Sequence, residues 1–224
     1  MNKNFIEIYN NTLNDETCQS FITEFEYQYS IGNTYSTKGL SKGIPDDINL
    51  LDSEDLNLST IDEKKELLDN QLFHHMDDSL LFHIKLYQTK YHMNNYFLNI
   101  DLYDPANLKE KNVFEFPLDA IPTLFDRSQV IVRKLNFKKK QGQHSWSYDW
   151  NPNSEAEINR HLSAIYCLGE NTEGGEIEFF HQGLRIKPEK GMLILFPPYF
   201  THTFKIHSPK DNDMYLLKTW IKMN

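Results

Sequence analysis

From Val130 to the C-terminus the chain is a series of short apolar or alternating runs: "QVIVRKLNF", "HLSAIYCL", "GEIEFF", "LRIKP", "GMLILF", "THTFKI" and "MYLLKTWI". Gly, Pro, Asn and Asp punctuate them. Short strands at near-regular spacing with turn residues between them predict a sandwich or barrel.

The N-terminal half has a different texture. "FIEIY" reads as one short strand, and "NDETCQSFITEFEYQ" follows with Asn14 as a helix N-cap, acids in the first turn, and Cys18, Phe21, Ile22 and Phe25 at helical spacing. Between Ile61 and about Tyr91 the residues Leu68, Leu72, Met76, Leu80, Ile84, Tyr87 and Tyr91 recur every three or four positions, which predicts a long helix with one buried stripe. The stretch from Gly39 to Thr60 is rich in Gly, Ser, Asp and Asn and reads as a long surface connection. The expected fold class is α+β. Residues 1–129 form a helical support region with an N-terminal strand, residues 130–224 form the β core, and the two make a single domain.

Composition narrows the function classes. A formal charge of −9 gives no broad electrostatic footprint for nucleic acid, and the local run Lys138, Lys139 and Lys140 reads as a solvated turn. Cys18 and Cys167 make neither a disulfide framework nor a C-x-x-C motif, which suits a reducing compartment. "MNKNFIEIYNN" has no apolar region of the signal-peptide kind, and no run approaches about 18 apolar residues. The expectation is a cytoplasmic protein with no membrane association. His74, His75, His83 and His92 lack the H-E-x-x-H pairing of a metal helix, and His161, His181 and His207 have no partner at ligand spacing, so all are read as packing or surface residues.

The candidate chemistry lies in the β half. Asp149 in "HSWSYDWNPN" and His202 in "FPPYFTHTF" are far apart in the chain, so only the fold can join them. A carboxylate and an imidazole converging inside a small barrel are two thirds of the facial triad that holds non-haem Fe(II). The residues alone leave Asp149 open to a second role, capping the turn "DWNPN" through its own backbone. For His202 a ligand is favoured over a packed core histidine because of the resemblance that the surrounding residues carry.

Several blocks together carry a resemblance: "FKKKQGQHSWSYDW", "RHLSAIYCL" from Arg160, "EGGEIEFF" from Glu173, "KPEKGMLILFPP" from Lys187, "FTHTF" from Phe200 and "MYLLKTW" from Met214. From Phe137 to the C-terminus the chain resembles the 2-oxoglutarate/Fe(II)-dependent oxygenases of the prolyl 4-hydroxylase type, especially their compact phage and bacterial versions. The N-terminal strand and helix resemble that family's opening as well. The resemblance implies a double-stranded β-helix of the jelly-roll or cupin-like kind. In active members it also implies Fe(II) and 2-oxoglutarate as cofactors and a peptide or other substrate. Gly174 and Gly175 then serve a tight turn needing positive φ.

The departures from the family fall at the chemistry. The family's first iron histidine corresponds to Ser147, and a neutral hydroxyl is a poor ligand for a divalent transition metal. Its basic residue for the distal carboxylate of 2-oxoglutarate corresponds to Met214, and its tyrosine for the same carboxylate to Phe137. Arg160 and Tyr166 match positions lining the barrel, and Lys205 and Lys218 are further cofactor-binding candidates. Lys218 shares a face with position 214 but lies roughly 13 Å along the strand at about 3.3 Å per residue. His144 is the candidate third metal ligand, reachable only through a bulge or turn because strand alternation puts it on the other side from Asp149.

Two functions follow from this pattern. One is a degenerate oxygenase-like protein with no cofactor, serving as a binding or structural module for a protein partner, in a host cytoplasm or a virion if the gene is viral. The other is an active dioxygenase with iron on Asp149, His202 and a displaced ligand such as His144.

Overall fold

In a computed structural model the fold is described for residues 4–36, 53–59, 70–91, 126–137, 146–170 and 173–222. Strand β1 (Glu7–Tyr9) leads into helix α1 (Asp15–Ser30), which begins where the sequence places it. The Asn14 side chain accepts a 2.8 Å hydrogen bond from the Thr17 amide, satisfying one of the orphan donors of the first turn. Cys18, Phe21 and Phe25 form its buried stripe.

The second helix, α2 (Asn70–Lys90), buries Phe73, Met76, Leu80, Ile84 and Tyr87 at helical spacing. Residues 61–69 of the expected helix, including Leu68, and the side chain of Leu72 lie outside the described residues. Both helices pack on one face of a large sheet, where their stripes share a core with Val132, Leu162, Ala164, Leu195, Leu217 and Ile221.

That sheet draws strands from both halves of the chain. Its members are β1, β2 (Tyr35–Ser36), β3 (Ser53–Asn57), β4 (Asp126–Arg127), β5 (Ile131–Leu135), β6 (Arg160–Cys167), β9 (Leu193–Phe196) and β11 (Met214–Lys222). They run in the order β1-β9-β6-β11-β5-β3-β2, with β4 also pairing β11. A second, three-stranded sheet has β7 (Ile177–Phe179) between β10 (Phe204–Ile206) and β8 (Leu184–Ile186).

Strand alternation makes the interior. In β11, Leu217 and Ile221 face the helices, while Met214 and Leu216 join Ile165, Cys167, Ile194, Phe196, Phe179 and Phe204 in a second core between the two sheets. This is the double-stranded β-helix, α+β class, expected from the sequence. The predicted runs fall on β5 to β11, except that "THTFKI" opens with a 3-10 turn (Phe200–His202) before β10. Gly174 and Gly175 have φ of 77° and 73°, and a Cβ on Gly174 would meet the Ser208 carbonyl at 2.4 Å.

One expectation is corrected. Within the stretch 39–60, read as a surface connection, residues Ser53–Asn57 form β3, paired with β5 from Ser53↔Leu135 to Asn57↔Ile131. Its polar composition hid it, since Ser53 and Asp55 are buried.

Candidate active site

The segment that carries Asp149 is tied to the barrel by its backbone. Ser147 and Phe204 exchange two 2.9 Å hydrogen bonds, and the Asp149 amide donates to the Pro198 carbonyl at 2.9 Å. Asp149 and His202 therefore lie on neighbouring backbone segments, as a joint site requires.

The Asp149 carboxylate is committed on both oxygens. Oδ1 accepts from Lys218 Nζ at 3.1 Å, and Oδ2 accepts from Ser163 Oγ at 2.9 Å. The side chains of Lys218 and Asp149 are only 5% and 9% exposed. Burial raises the cost of the carboxylate, but the Lys218 ammonium, the Trp220 indole and the Ser163 hydroxyl outweigh it and hold Asp149 below its ordinary pKa. Burial, the Arg133 charge adding to it, pulls Lys218 below its own ordinary value against the pull of Asp149.

His202, on the 3-10 turn, is also engaged at both ring nitrogens. Nε2 lies 2.9 Å from the Asn4 carbonyl and Nδ1 lies 2.9 Å from Thr201 Oγ1. A carbonyl only accepts, so the proton is assigned to Nε2, leaving Nδ1 to accept from the threonine hydroxyl. Burial lowers the His202 pKa, the Asn4 carbonyl opposes that shift, and His181 adds to it.

The remaining candidates scatter. Arg160 donates from Nη1 to the Asp149 carbonyl at 2.8 Å and stacks its guanidinium 3.8 Å over the Trp220 ring, so it braces the Asp149 segment. Tyr166 faces the helices, its hydroxyl 3.4 Å from the Met76 carbonyl and Ser79 Oγ. Lys205 pairs with Glu178 at 3.5 Å and sits 4.5 Å over the Trp146 ring. Met214 is buried among the apolar residues between the sheets, and the Phe137 amide donates to Asp213 Oδ1 at 3.1 Å. His144 and the lysine run lie outside the described residues.

A second buried ion pair was not anticipated. Arg133 and Asp55 meet through Nε–Oδ1 at 2.8 Å and Nη2–Oδ2 at 2.7 Å, a bidentate pair across β5 and β3. Arg133 Nη1 is buried without a hydrogen-bond partner. Arg133 had a signal, because alternation in "VIVRKLNF" puts it on the inward face with Ile131 and Leu135. Asp55 had none.

Residues 133–222 match the family model for the 2OG-Fe(II) oxygenase superfamily. Among solved structures, the chain is similar to viral collagen prolyl hydroxylase from Paramecium bursaria Chlorella virus-1, in a 2OG complex. The identity is 16%, the TM-score is 0.59, and 98% of this chain and 96% of that one are covered. It is also similar to a Trichoplax adhaerens prolyl hydroxylase in complex with a hypoxia inducible factor peptide, at 13% identity and a TM-score of 0.64, covering 99% and 84%. A Pseudomonas putida prolyl-4-hydroxylase gives 10% identity and a TM-score of 0.57, covering 98% and 93%. The fold is that of the 2OG-Fe(II) oxygenase superfamily, prolyl 4-hydroxylase type. No curated protein sequence matches the chain.

The oxygenase fold implies Fe(II), and the residues present do not fit it. Ser147, the residue that the sequence resemblance sets against the family's first iron histidine, offers only a neutral hydroxyl. Asp149 is neutralised by an ammonium, and the Nε2 of His202 would first have to give up its neutral hydrogen bond to the Asn4 carbonyl, worth only about 1 kcal/mol net. Among the described residues no group of three or more His, Cys, Asp or Glu is placed to hold a metal ion. Nor does any described helix have the length and apolar content to cross a membrane.

Proposed function

We propose that this chain uses the oxygenase barrel as a binding or structural module rather than as an Fe(II)- and 2-oxoglutarate-dependent catalyst. The observation that carries the reading is the commitment of both Asp149 oxygens to Lys218 and Ser163, beside a serine at the family's histidine position. A carboxylate already paired and buried has little left to offer a metal. Met214 adds to this, because a thioether cannot compensate the distal carboxylate of 2-oxoglutarate, and burying that charge unpaired costs several kcal/mol.

The partner class is a peptide or another protein. Trp146 and Phe180 are exposed beside the Asp149 segment with ring centroids 5.2 Å apart, the amphipathic surface that protein contacts favour. The named substrates of the similar structures, collagen and a hypoxia inducible factor peptide, belong to the same broad class. A viral origin is consistent with the viral structure among them.

A second reading, an active dioxygenase, has one observation in its favour. The buried Nη1 of Arg133 lacks a hydrogen-bond partner and is a donor of the right charge for a carboxylate in place of Met214.

The test is anaerobic titration of the purified chain with Fe(II) and 2-oxoglutarate, watching for the visible charge-transfer band of the bidentate complex. No band is expected. A clear band at micromolar iron, lost on Arg133→Met, would replace the first reading with the second.

A further inference from the structure

We infer that Lys218 supplies, from within the chain, the positive charge that Asp149 would otherwise take from a divalent metal, so that the barrel is complete without one. This rests on the non-catalytic reading above and gives it a device. Lys218 points inward from the middle of β11, its Cα in register with Ile131 of β5 and Ile165 of β6. Its ammonium has Asp149 at 3.1 Å and lies 5.2 Å and 5.3 Å from the Phe204 and Trp220 ring centroids. Two aromatic rings and one carboxylate make a site for a monovalent cation.

The surrounding charges are already balanced. Asp149 faces Lys218, Asp55 faces Arg133, and Glu157 lies 3.2 Å from Arg160. A divalent ion brought to Asp149 would enter among three cationic side chains while freeing no anion for itself, and in a low-dielectric interior that repulsion is poorly screened. The ion would have to expel the ammonium, and an expelled Lys218 would be a buried charge without a partner. The device also accounts for the carboxylate itself. With Ser147 two residues away, Asp149 has work as one half of an internal ion pair and not as an orphaned ligand.

Co(II) is the probe, because its visible bands report coordination without any turnover. In the full-length native chain, micromolar Co(II) should give no bands and no rise in Tm. Ser147→His alone restores the missing imidazole and should still give none, since Lys218 holds Asp149. Ser147→His with Lys218→Ala should show Co(II) bands and a Tm several degrees higher with the metal than without.

Co(II) binding by Ser147→His alone as strong as by the pair would overturn the inference, as would a folded pair that takes no Co(II). Binding by the native chain would do the same. If that native binding comes without the Fe(II)/2-oxoglutarate band, only the role of Lys218 fails, and if the band appears the non-catalytic reading fails too. Should the Ala variant not fold, Lys218→Met and Asp149→Leu are compared singly and together. The combined variant should be more stable than either single, and simple additivity of the two losses counts against the pairing.

Discussion

Asp55 and Arg133 show what a buried charge needs in this barrel. Asp55 is almost fully buried and accepts from two of its partner's three guanidinium nitrogens. Arg133→Met keeps the bulk and removes the charge, leaving a carboxylate inside the protein without compensation. The expected loss is about 3–5 kcal/mol in urea unfolding, and a smaller loss is expected when Asp55→Leu is added, because the unpaired charge goes with it. The sequence draws attention to Ser147, Met214 and Phe137 because they break the pattern of the family it resembles. It was least legible where residues from separate segments meet, as Lys218 of β11 and Asp149 do. Strand spacing relates Lys218 only to position 214 along its own strand, whereas its partner comes from a different segment. Arg160 shows a further limit. A register shift beside Ile221 and Lys222 skips a residue in β6, so Arg160 reaches Trp220 and the Asp149 carbonyl while Leu162 faces the helices. Such a bulge has no reliable signature in composition.

Helix α1 is joined to the large sheet through the turn before β9. Gly191 has φ of 75°, and a Cβ there would lie 2.5 Å from the Leu13 carbonyl. Its own carbonyl accepts from the Thr12 amide and hydroxyl, both at 2.8 Å. Gly191→Ala therefore meets both a left-handed backbone penalty of about 1–2 kcal/mol and a clash with backbone that cannot rotate away. A total loss of about 2 kcal/mol or more is expected in urea unfolding, together with faster amide exchange at Thr12. Elements were legible where one face is apolar, as in α1, α2 and β5 to β11. Strand β3 was not, because its side of Ser53 and Asp55 is polar, with Asp55 satisfied by Arg133 from the neighbouring strand and the Ser53 hydroxyl donating to Asp55. A loop and a strand stabilised by ionic partners look alike in sequence.

Across the whole molecule, burial keeps a set of weak acids protonated. The Cys167 thiol is pushed up to about 12 by burial, with Cys18 adding to the effect, and Tyr215 is pushed up to about 12 by burial and its bond to Glu26. Burial likewise raises Tyr9, Tyr87, Tyr91 and Tyr166. A raised folded pKa means that the unfolded chain releases its proton first as pH rises. The stability these groups contribute is therefore intact below about pH 8, begins to fall as free thiols ionise around pH 8.5 to 9, and goes on falling to about pH 12. In urea titrations under reducing conditions, these groups should lower the unfolding midpoint from about pH 9 to pH 11, against an opposing contribution from Lys85 and Lys218, whose pKa values burial lowers. Each buried group in its window contributes up to about 1.4 kcal/mol per pH unit. Cys167→Ala removes the fully buried thiol, so it should flatten the early part of that decline and leave the tyrosine part beginning near pH 10. An unchanged slope between pH 9 and pH 10 in Cys167→Ala would show that the thiol does not ionise differently in the folded and unfolded chains, and that the interior around β6 is more open to solvent than its burial indicates.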